Sequence, residues 1–365
     1  MGEASEAGEL CSSWESLQNM IPGFIASVDA MLEKWKGRED KEMDVFEEIR
    51  VLTSEMISRS AFGTSYLQGE KMFDMLNKLS AIVGRVAMKK KIPLIDKIWK
   101  SADFVESEQL VKAIEDCVME IVKIREEKVV NGEADSFGDD FLGILVSAYR
   151  DSNDKNRLSM DDLVDECKLF FLAAQATVNS LIAWAIMVLS IHQDWQEKAR
   201  MEVIEIFGDR NPDSNGIAKL KIITMIIHET ERLYGQPSPL MRKVEREARL
   251  GELVLPADID LRLATIAVHH DTQLWGDDAH LFKPDRFAEG IAKVTRNNAA
   301  VFFPFGLGPR TCVGMSFAYT EAKIALSMIL QRYTISLSPA YVHSPQVHLS
   351  LRPGHGIQVI LHSLD

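Results

Sequence analysis

The sequence predicts a mainly α-helical fold with a small β part near the C-terminus. Through most of residues 16–236, apolar side chains recur at three- and four-residue spacing, the period of an amphipathic helix. Residues 237–365 instead hold short β-prone segments separated by Gly, Pro and Asp, which is typical of strands and turns. Neither a flexible linker nor an internal repeat is evident. We therefore expect a single domain over residues 1–365, with a poorly ordered start at 1–15.

The helical pattern divides into segments, several of which end at a glycine, a common helix stop. The segments are 16–36, 44–62, 70–88, 102–130, 141–149, 159–192, 195–207, 217–234 and 314–332. In the longest of them, Ser159 is placed to cap the helix, and the acidic Asp161 and Asp162 favour its first turn. The middle of that helix is apolar on all sides, so we expect it to run through the core.

The β-prone segments are 249–255 and 261–268, followed by a Pro-, Asp- and Gly-rich stretch at 270–311 and alternating residues at 333–364. We interpret 270–311 as an ordered meander, and the last stretch as strands joined by proline-containing turns.

The net charge and the cysteine content disfavour two classes of function, nucleic-acid binding and zinc binding. The net charge is 41 − 54 = −13, and Lys89–Lys91 is only a short basic run, more typical of a solvated helix end. Nucleic-acid binding is disfavoured because phosphate contacts need clustered Lys and Arg. The four cysteines do not have the spacing of a zinc site. Few and scattered cysteines in a chain of this size indicate a reducing compartment. We expect Cys117 and Cys167 to be buried, inert thiols and Cys11 to be exposed.

The N-terminal residues are acidic and lack the features of a signal peptide. The longest apolar run, 181–191, is too short to span a bilayer. We therefore expect no membrane span in this chain.

The strongest motif runs from Phe305 to Gly314 and fits F-x-x-G-x-R-x-C-x-G. Cys312 lies just before the predicted helix 314–332, whose unpaired N–H groups and dipole favour an anionic sulfur. A lone cysteine before a helix is more often an incidental surface residue. Five matched positions outweigh that interpretation.

The other positions of the loop suit a haem bound through sulfur. Gly306, Gly308 and Gly314 allow the backbone to approach a porphyrin closely. Phe305 offers an apolar cover for the sulfur, and the guanidinium of Arg310 suits a propionate. The motif thus predicts a haem-binding loop with Cys312 as the iron ligand.

These residues resemble the cysteine loop of the cytochrome P450 superfamily of haem-thiolate monooxygenases. Glu229-Thr-Glu-Arg232 matches the family's E-x-x-R, and its two charges share a helix face. Phe282-Lys-Pro-Asp-Arg286-Phe resembles the Pro-Glu-Arg-Phe element, which implies that Arg286 completes a Glu–Arg–Arg lock behind the haem. Arg242 matches a position that commonly meets a propionate. The alternative for Arg242 is an ordinary strand-edge cation.

The sequence is similar to those of plant members of the clan that modifies gibberellins, brassinosteroids and terpenoids. Segments such as Val45-Phe-Glu-Glu-Ile and Ala322-Lys-Ile-Ala-Leu-Ser-Met show this similarity, which extends from about residue 16 to the C-terminus. The resemblance implies a cytochrome P450 fold that lacks its N-terminal anchor and first helices.

The centre of the long helix departs from the family, which has Ala-Gly-x-Glu/Asp-Thr-Thr there. In the family the glycine leaves room for dioxygen, and the acid and threonine guide protons to it. This chain has Ala173, Ala174, Gln175, Ala176 and Thr177 at those positions. The side chain at 176 cannot carry a proton, whereas Thr177 can bond a carbonyl one turn back. A tolerated core threonine is the alternative.

The resemblance implies haem b, and insertion of one oxygen atom from O2 into a small hydrophobic substrate such as a terpenoid, steroid or fatty acid. Electrons would come from NADPH through NADPH–cytochrome P450 reductase, in secondary or hormone metabolism. The family resides at the endoplasmic reticulum membrane; without an anchor the chain would be cytoplasmic. Two alternatives stay open: a haem-binding or haem-free paralogue without turnover, and a helical interaction protein retaining only the fold.

Overall fold

The computed structural model describes residues 14–63, 72, 74–79, 81–83, 101–138, 140–151, 157–235, 240–347 and 350–364. The predicted poorly ordered start, Cys11 and the Lys89–Lys91 run lie outside these residues, apart from helical residues at 14 and 15. Of the segment predicted to be helical at 70–88, the described residues 72, 74–79 and 81–83 are helical.

The described part of the chain is mostly helical, which confirms the predicted fold class. Its α-helices are α1 (Trp14–Trp35), α2 (Val45–Phe62), α3 (Ala102–Val130), α4 (Phe141–Tyr149), α5 (Met160–Ile191), α6 (Gln193–Phe207), α7 (Ser214–Lys219), α8 (Ile222–Tyr234), α9 (Thr265–His269), α10 (Thr272–Trp275), α11 (Ile291–Val294) and α12 (Met315–Arg332). Its strands are β1 (Glu42–Asp44), β2 (Leu240–Lys243), β3 (Ala248–Leu250), β4 (Leu253–Leu255), β5 (Asp260–Leu263), β6 (Tyr333–Leu337), β7 (Pro345–Val347), β8 (Leu351–Pro353) and β9 (Gln358–Ser363). Residues Pro284–Phe287 and Ala299–Val301 form 3₁₀ turns.

Local capping explains why several predicted boundaries are confirmed. The side chain of Ser101 accepts a hydrogen bond from the N–H of Phe104 at the start of α3. Ser159 and Asp162 bond each other reciprocally before α5: the hydroxyl accepts from the N–H of Asp162, and the carboxylate accepts from the N–H of Ser159. Such a capping box satisfies N–H groups that a helix leaves unpaired.

The helix predicted at 217–234 is wrong as a single element, because the chain extends at Leu220 and divides it into α7 and α8. The carboxylate of Glu202 in α6 accepts hydrogen bonds from the N–H groups of Lys221, Ile222 and Ile223. A new helix can begin there because a side chain from another helix satisfies its first donors.

The β segment predicted at 261–268 is also partly wrong. Strand β5 ends at Leu263, and residues Thr265–His269 form the short helix α9. Tertiary contacts override local propensity here, since the carbonyl of His269 is held by the buried guanidinium of Arg232.

The chain divides into two compact units. The first comprises Met1–Lys36, Glu47–Asn179 and Val313–Ala325; the second comprises Gly37–Phe46, Ser180–Cys312 and Leu326–Asp365. In the first unit, aromatic rings join α1, α4, α5 and α12. Phe141 stacks on Phe170 at 4.2 Å, and Phe317 meets the edges of Phe24 and Phe170 at 5.3 and 5.8 Å.

In the second unit, β1, β9 and β6 form an antiparallel sheet in that order. The remaining described strands pair as β2–β5, β3–β4 and β7–β8, all antiparallel. A buried cluster fills the meander with Trp275, Ala279, Phe287, Val301 and Phe302. This cluster shows that the meander is an ordered, packed segment, as predicted.

Helix α5 is long and apolar enough to cross a membrane by length and composition. The apolar part of this helix is therefore longer than the run at 181–191 on which the sequence prediction rests. However, 72% of its most apolar window is buried inside the protein, so α5 serves as a core helix.

Candidate functional site

The loop that begins at Phe305 turns back on itself through backbone hydrogen bonds. The N–H of Cys312 donates to the carbonyl of Phe305 at 2.8 Å, and the N–H of Gly306 donates to that of Phe303 at 2.9 Å. Within the loop, the backbone and hydroxyl of Thr311 both donate to the carbonyl of Gly308, at 3.0 and 2.8 Å. The thiol of Cys312 is presented to the outside, since that residue is exposed.

Two glycines of the loop have backbone angles that other residues rarely adopt. Gly306 has φ +78° and Gly308 has φ +81°. A Cβ added at Gly308 would meet no atom within 4 Å, so open space lies over the backbone there. A flat group could therefore approach the main chain at this point.

The side chains of the loop combine apolar surface with a cation. Leu307 is 49% exposed and Phe305 is half-buried. Arg310 is exposed and forms no hydrogen bond or ion pair with the residues that the structure describes. An exposed thiol, apolar cover and a guanidinium open to a carboxylate match the ligand set of a haem bound through sulfur. The residues present therefore fit this group.

A fully buried ion pair lies in the same unit as the loop. Glu229 and Arg232 are both 0% exposed in α8, and two hydrogen bonds of 2.7 and 2.8 Å join them. Both charges share a helix face, as the three-residue spacing predicts.

The guanidinium of Arg232 also holds the meander. It donates to the carbonyls of His269 at 2.9 Å, Ala279 at 2.6 Å and Leu281 at 3.2 Å. Arg232 therefore has its buried donors satisfied, which a buried charge requires.

The structure brings Arg286 to the same carboxylate. Its Nε lies 3.4 Å from Oε1 of Glu229, so the direct pair is long. Stronger bonds of 2.6 Å join it to the carbonyl and the carboxylate of Asp278. Hydrogen bonds from Lys283 and Arg286 lower the pKa of Asp278 to about 2. Sequence reasoning missed Asp278, although an acid eight residues before Arg286 was the available signal.

His269 is a second residue that sequence reasoning missed. Its ring nitrogen Nε2 accepts a hydrogen bond from the backbone N–H of Phe303 at 3.1 Å. Burial lowers its pKa to about 4, and the charges of Arg232 and His270 act in the same direction. No local pattern signals this contact, because its two partners are 34 residues apart.

Arg242 lies half-buried in β2, where Nη1 donates to the carbonyl of the neighbouring Met241 at 2.9 Å. In the described part of the chain it meets no carboxylate. The contact of Arg242 with a haem propionate therefore stays a prediction.

The centre of α5 belongs to the first unit. The hydroxyl of Thr177 donates to the carbonyls of Ala173 at 2.7 Å and Ala174 at 3.3 Å. Ala173 is exposed, Ala174 and Thr177 are half-buried, and Ala176 is only 2% exposed. The position where the family has its acid thus faces the interior of this unit.

An exposed cysteine on a glycine-rich loop, together with a Glu–Arg–Arg cluster in the same unit, is typical of the haem-thiolate class of proteins. The family model for cytochrome P450 matches residues 7–360. The chain therefore belongs to the cytochrome P450 family and is by class a haem-iron monooxygenase.

Plant relatives extend this result. The chain is 54% identical over 351 residues to cytochrome P450 CYP749A22 of Panax ginseng, covering 96% of this chain and 67% of the relative. It is 40% identical over 362 residues to the 11-oxo-beta-amyrin 30-oxidase of Glycyrrhiza uralensis, covering 96% and 68%. The predicted likeness to plant cytochromes P450 is confirmed.

Solved structures agree on the fold. The cytochrome P450DA heme domain superposes with a TM-score of 0.86 at 22% identity, covering 100% of this chain and 77% of that one. The retinoic acid bound cyanobacterial CYP120A1 gives a TM-score of 0.84 at the same identity. At this identity the likeness concerns the fold alone.

Proposed function

We propose that the chain binds haem b through the thiolate of Cys312 and inserts one atom of O2 into a small hydrophobic substrate. The observation that carries this proposal is the geometry of the cysteine loop. Its thiol is exposed, its backbone is open at Gly308, and Arg310 stands without a partner among the described residues. Family membership supports the same activity.

The residues of the loop have separate tasks in this proposal. When haem is bound, Sγ of Cys312 would be the iron ligand, and Phe305 would shield the sulfur from water. Gly308 and Gly314 let the main chain approach the macrocycle. The guanidinium groups of Arg310 and Arg242 would bind the propionates, since a guanidinium fork suits a carboxylate. When bound, the haem supplies the oxygen-activating chemistry.

The Glu229–Arg232–Arg286 cluster acts as a structural lock. Arg232 holds three carbonyls of the meander, and Arg286 holds two groups of Asp278. The bonds from Arg232 to His269 and Ala279 lie in a buried, low-dielectric setting where losing one partner is costly. We propose that the lock keeps the meander and the loop after it in one arrangement.

In α5 we propose that Oγ1 of Thr177 relays protons to dioxygen. The hydroxyl donates to the carbonyl of Ala173, one turn back in the same helix. Ala176 cannot carry a proton, and Ala174 adds a methyl where the family has glycine. Ala173 lies beside Ala174 in the same part of α5. Proton delivery by this chain therefore depends on the threonine and water.

For the substrate we propose the class of terpenoids, with steroids and fatty acids as further small apolar candidates. Two relatives support this class by name: the 11-oxo-beta-amyrin 30-oxidase at 40% identity and the 7-deoxyloganic acid hydroxylase of Catharanthus roseus at 37%. We further propose that NADPH–cytochrome P450 reductase supplies the electrons, at the endoplasmic reticulum membrane, as in the family.

Haem ligation is tested by carbon monoxide difference spectra. The chain is loaded with haem, reduced and exposed to carbon monoxide. A red-shifted, thiolate-type Soret band should appear, vanish in Cys312→Ala and persist in Cys117→Ala, the matched thiol control. Absence of haem uptake by the wild-type chain would refute the proposal.

Turnover is tested separately with reductase, NADPH and a panel of terpenoids. Oxygenated product supports the monooxygenase. A thiolate spectrum without any product would instead favour the alternative of a haem-binding paralogue, which the altered residues Ala174 and Ala176 motivate.

A further inference from the structure

His269 connects the buried ion-pair cluster with the segment that leads into the cysteine loop. Its carbonyl accepts a hydrogen bond of 2.9 Å from Arg232, and its ring accepts one of 3.1 Å from the N–H of Phe303. The carbonyl of Phe303 in turn accepts from the N–H of Gly306. Consecutive hydrogen bonds thus run from the guanidinium to the first turn of the loop.

The ring of His269 serves this contact as an acceptor. A backbone N–H can only donate, so Nε2 must carry a lone pair and the ring must be neutral. The residue is 1% exposed, and Phe302 and Phe303 pack around the ring at centroid distances of 5.3 and 5.5 Å. The charged or titratable groups that act on it are Arg232 and His270, and both disfavour a second positive charge.

We infer that His269 is a positioning residue for the thiolate ligand: through Phe303 it fixes the start of the loop that presents Cys312. The inference rests on the proposed haem ligation for its functional meaning. The hydrogen bond itself can be measured in the haem-free chain. Cys312 is nine residues after Phe303, and its own N–H closes the loop on Phe305. An unanchored Phe303 would loosen both ends of that closure.

Packing alone is the competing explanation, because the ring also fills space between Phe302 and Phe303. Two substitutions separate the explanations. His269→Phe keeps an aromatic ring of similar size and removes the acceptor. His269→Gln removes the ring and keeps a polar acceptor at about the ε position. His280→Phe is the control, since His280 is an exposed histidine of the same meander.

The first readout is hydrogen exchange of the Phe303 amide in the haem-free full chain. Losing a buried hydrogen bond costs about 1 kcal/mol, so exchange should be about five- to tenfold faster in His269→Phe. His269→Gln and His280→Phe should exchange within about twofold of the wild type. Faster exchange in the Gln variant than in the Phe variant would show that ring packing matters and the acceptor does not, which overturns the inference.

The second readout is spectroscopic. In the haem-loaded, reduced carbon monoxide complex, His269→Phe should show a smaller share of the thiolate-type Soret band, and His269→Gln should recover it. Equal shares in the two variants would overturn the positioning role. If the Phe variant does not fold, His269→Asn replaces it, because its amide is too short to reach the ε position. An Asn variant equal to the Gln variant would then contradict the inference.

The two proposals fail in distinguishable ways. If haem is not bound through Cys312, the wild type and Cys312→Ala give the same spectrum, whatever the amide exchange shows. If only the inference is wrong, the wild-type spectrum depends on Cys312 and the exchange rates of the His269 variants fail to separate.

Discussion

Arg125 and Asp140 form a two-bonded ion pair in the first unit. Nη1 lies 2.6 Å from Oδ1, and Nη2 lies 2.7 Å from Oδ2. The same guanidinium donates to the carbonyls of Phe62 and Phe137, and Asp140 also caps α4 by accepting from the N–H of Gly143. One side chain therefore joins the end of α2, the body of α3 and the start of α4.

Removing this guanidinium should destabilise the protein clearly. Both side chains are less than one fifth exposed, so Arg125→Ala leaves Asp140 and two carbonyls without their donor. We expect the free energy of unfolding to fall by about 2–3 kcal/mol, measured by urea denaturation. Lys123→Ala is the control, since its pair with Glu127 is long and exposed and should contribute under about 0.5 kcal/mol. Equal effects of the two substitutions would show that the network contributes little.

The cysteines should differ strongly in reactivity. Cys167 is 2% exposed, and burial raises its pKa to about 12. At pH 8 such a thiol has about 10³-fold less thiolate than an ordinary one. Iodoacetamide should therefore modify the exposed Cys312 of the haem-free chain and leave Cys167 intact, as peptide mass spectrometry would show.

Haem should protect Cys312 from the reagent while the half-buried Cys117 reacts at an unchanged rate. Protection of neither residue, or of both, would argue against ligation at Cys312.

The prediction that Cys117 is buried was wrong in degree, because this residue is only half-buried on the long, charged helix α3.

Thr177 should govern how efficiently electrons yield product. Its hydroxyl bonds the carbonyl of Ala173, and the neighbouring Ala176 offers no proton. Thr177→Ala should reduce product formed per NADPH by on the order of 10²-fold, the typical size of a general acid–base contribution. Haem content and substrate binding should stay unchanged.

Thr177→Ser keeps the hydroxyl and should retain most of the coupling. Thr224→Ala is the matched control, because Thr224 in the first turn of α8 donates in the same way to a carbonyl four residues back, that of Leu220. Full product formation by Thr177→Ala would contradict the relay of protons.

Glu321 in α12 is a buried carboxyl that destabilises the fold at neutral pH. It is 0% exposed, and neither oxygen forms a hydrogen bond with any residue that the structure describes. Burial raises its pKa well above the usual value. The folded chain therefore holds a proton that the unfolded chain releases. Stability from this group is present below about pH 4.5 and is lost as the pH rises.

Glu321→Leu should stabilise the protein by about 1–3 kcal/mol at pH 8 and by less at pH 4, because the unpaired polar group is removed. The measurement is the urea midpoint at both pH values. Glu120→Leu, on the exposed face of α3, should leave the midpoint nearly unchanged at both. A loss of stability in Glu321→Leu at pH 8 would show that the carboxyl has a favourable contact.

The sequence could predict elements whose signals are local. The boundaries of α3 and α4 were correct because Ser101 and Asp140 cap them with their own side chains. The break between α7 and α8 could not be predicted, since Glu202 supplies the cap from another helix. Strand β1 was missed for the same reason: residues 42–44 are extended by pairing with β9, more than 300 positions away.

The candidate site divides in the same way. Residues from Phe305 to Cys312 form one contiguous motif, so spacing alone was sufficient to find them. The contact between His269 and Phe303 depends on how the meander folds back, which no short window of sequence contains. The buried orientation of Ala176 likewise depends on packing around α5 and not on the motif.

The neutral ring of His269 should make stability depend on pH. Its pKa is about 4 in the folded chain because of burial, against about 6.5 in the unfolded chain. Between these values the unfolded chain binds the extra proton, so stability rises with pH. The contribution is fully present above about pH 6.5 and is lost as the pH falls towards 4, to a maximum of about 3 kcal/mol.

His269→Gln cannot titrate and should lack this share of the pH dependence. The difference in unfolding free energy between wild type and variant should be constant above about pH 6.5 and shrink below it by about 3 kcal/mol at most. Urea denaturation at half-unit steps from pH 4 to pH 8 measures it. His280→Gln, at the exposed histidine, should follow the wild-type curve throughout. Parallel curves for wild type and His269→Gln would mean that the ring accepts a proton in the folded chain, which the donor N–H of Phe303 at 3.1 Å opposes.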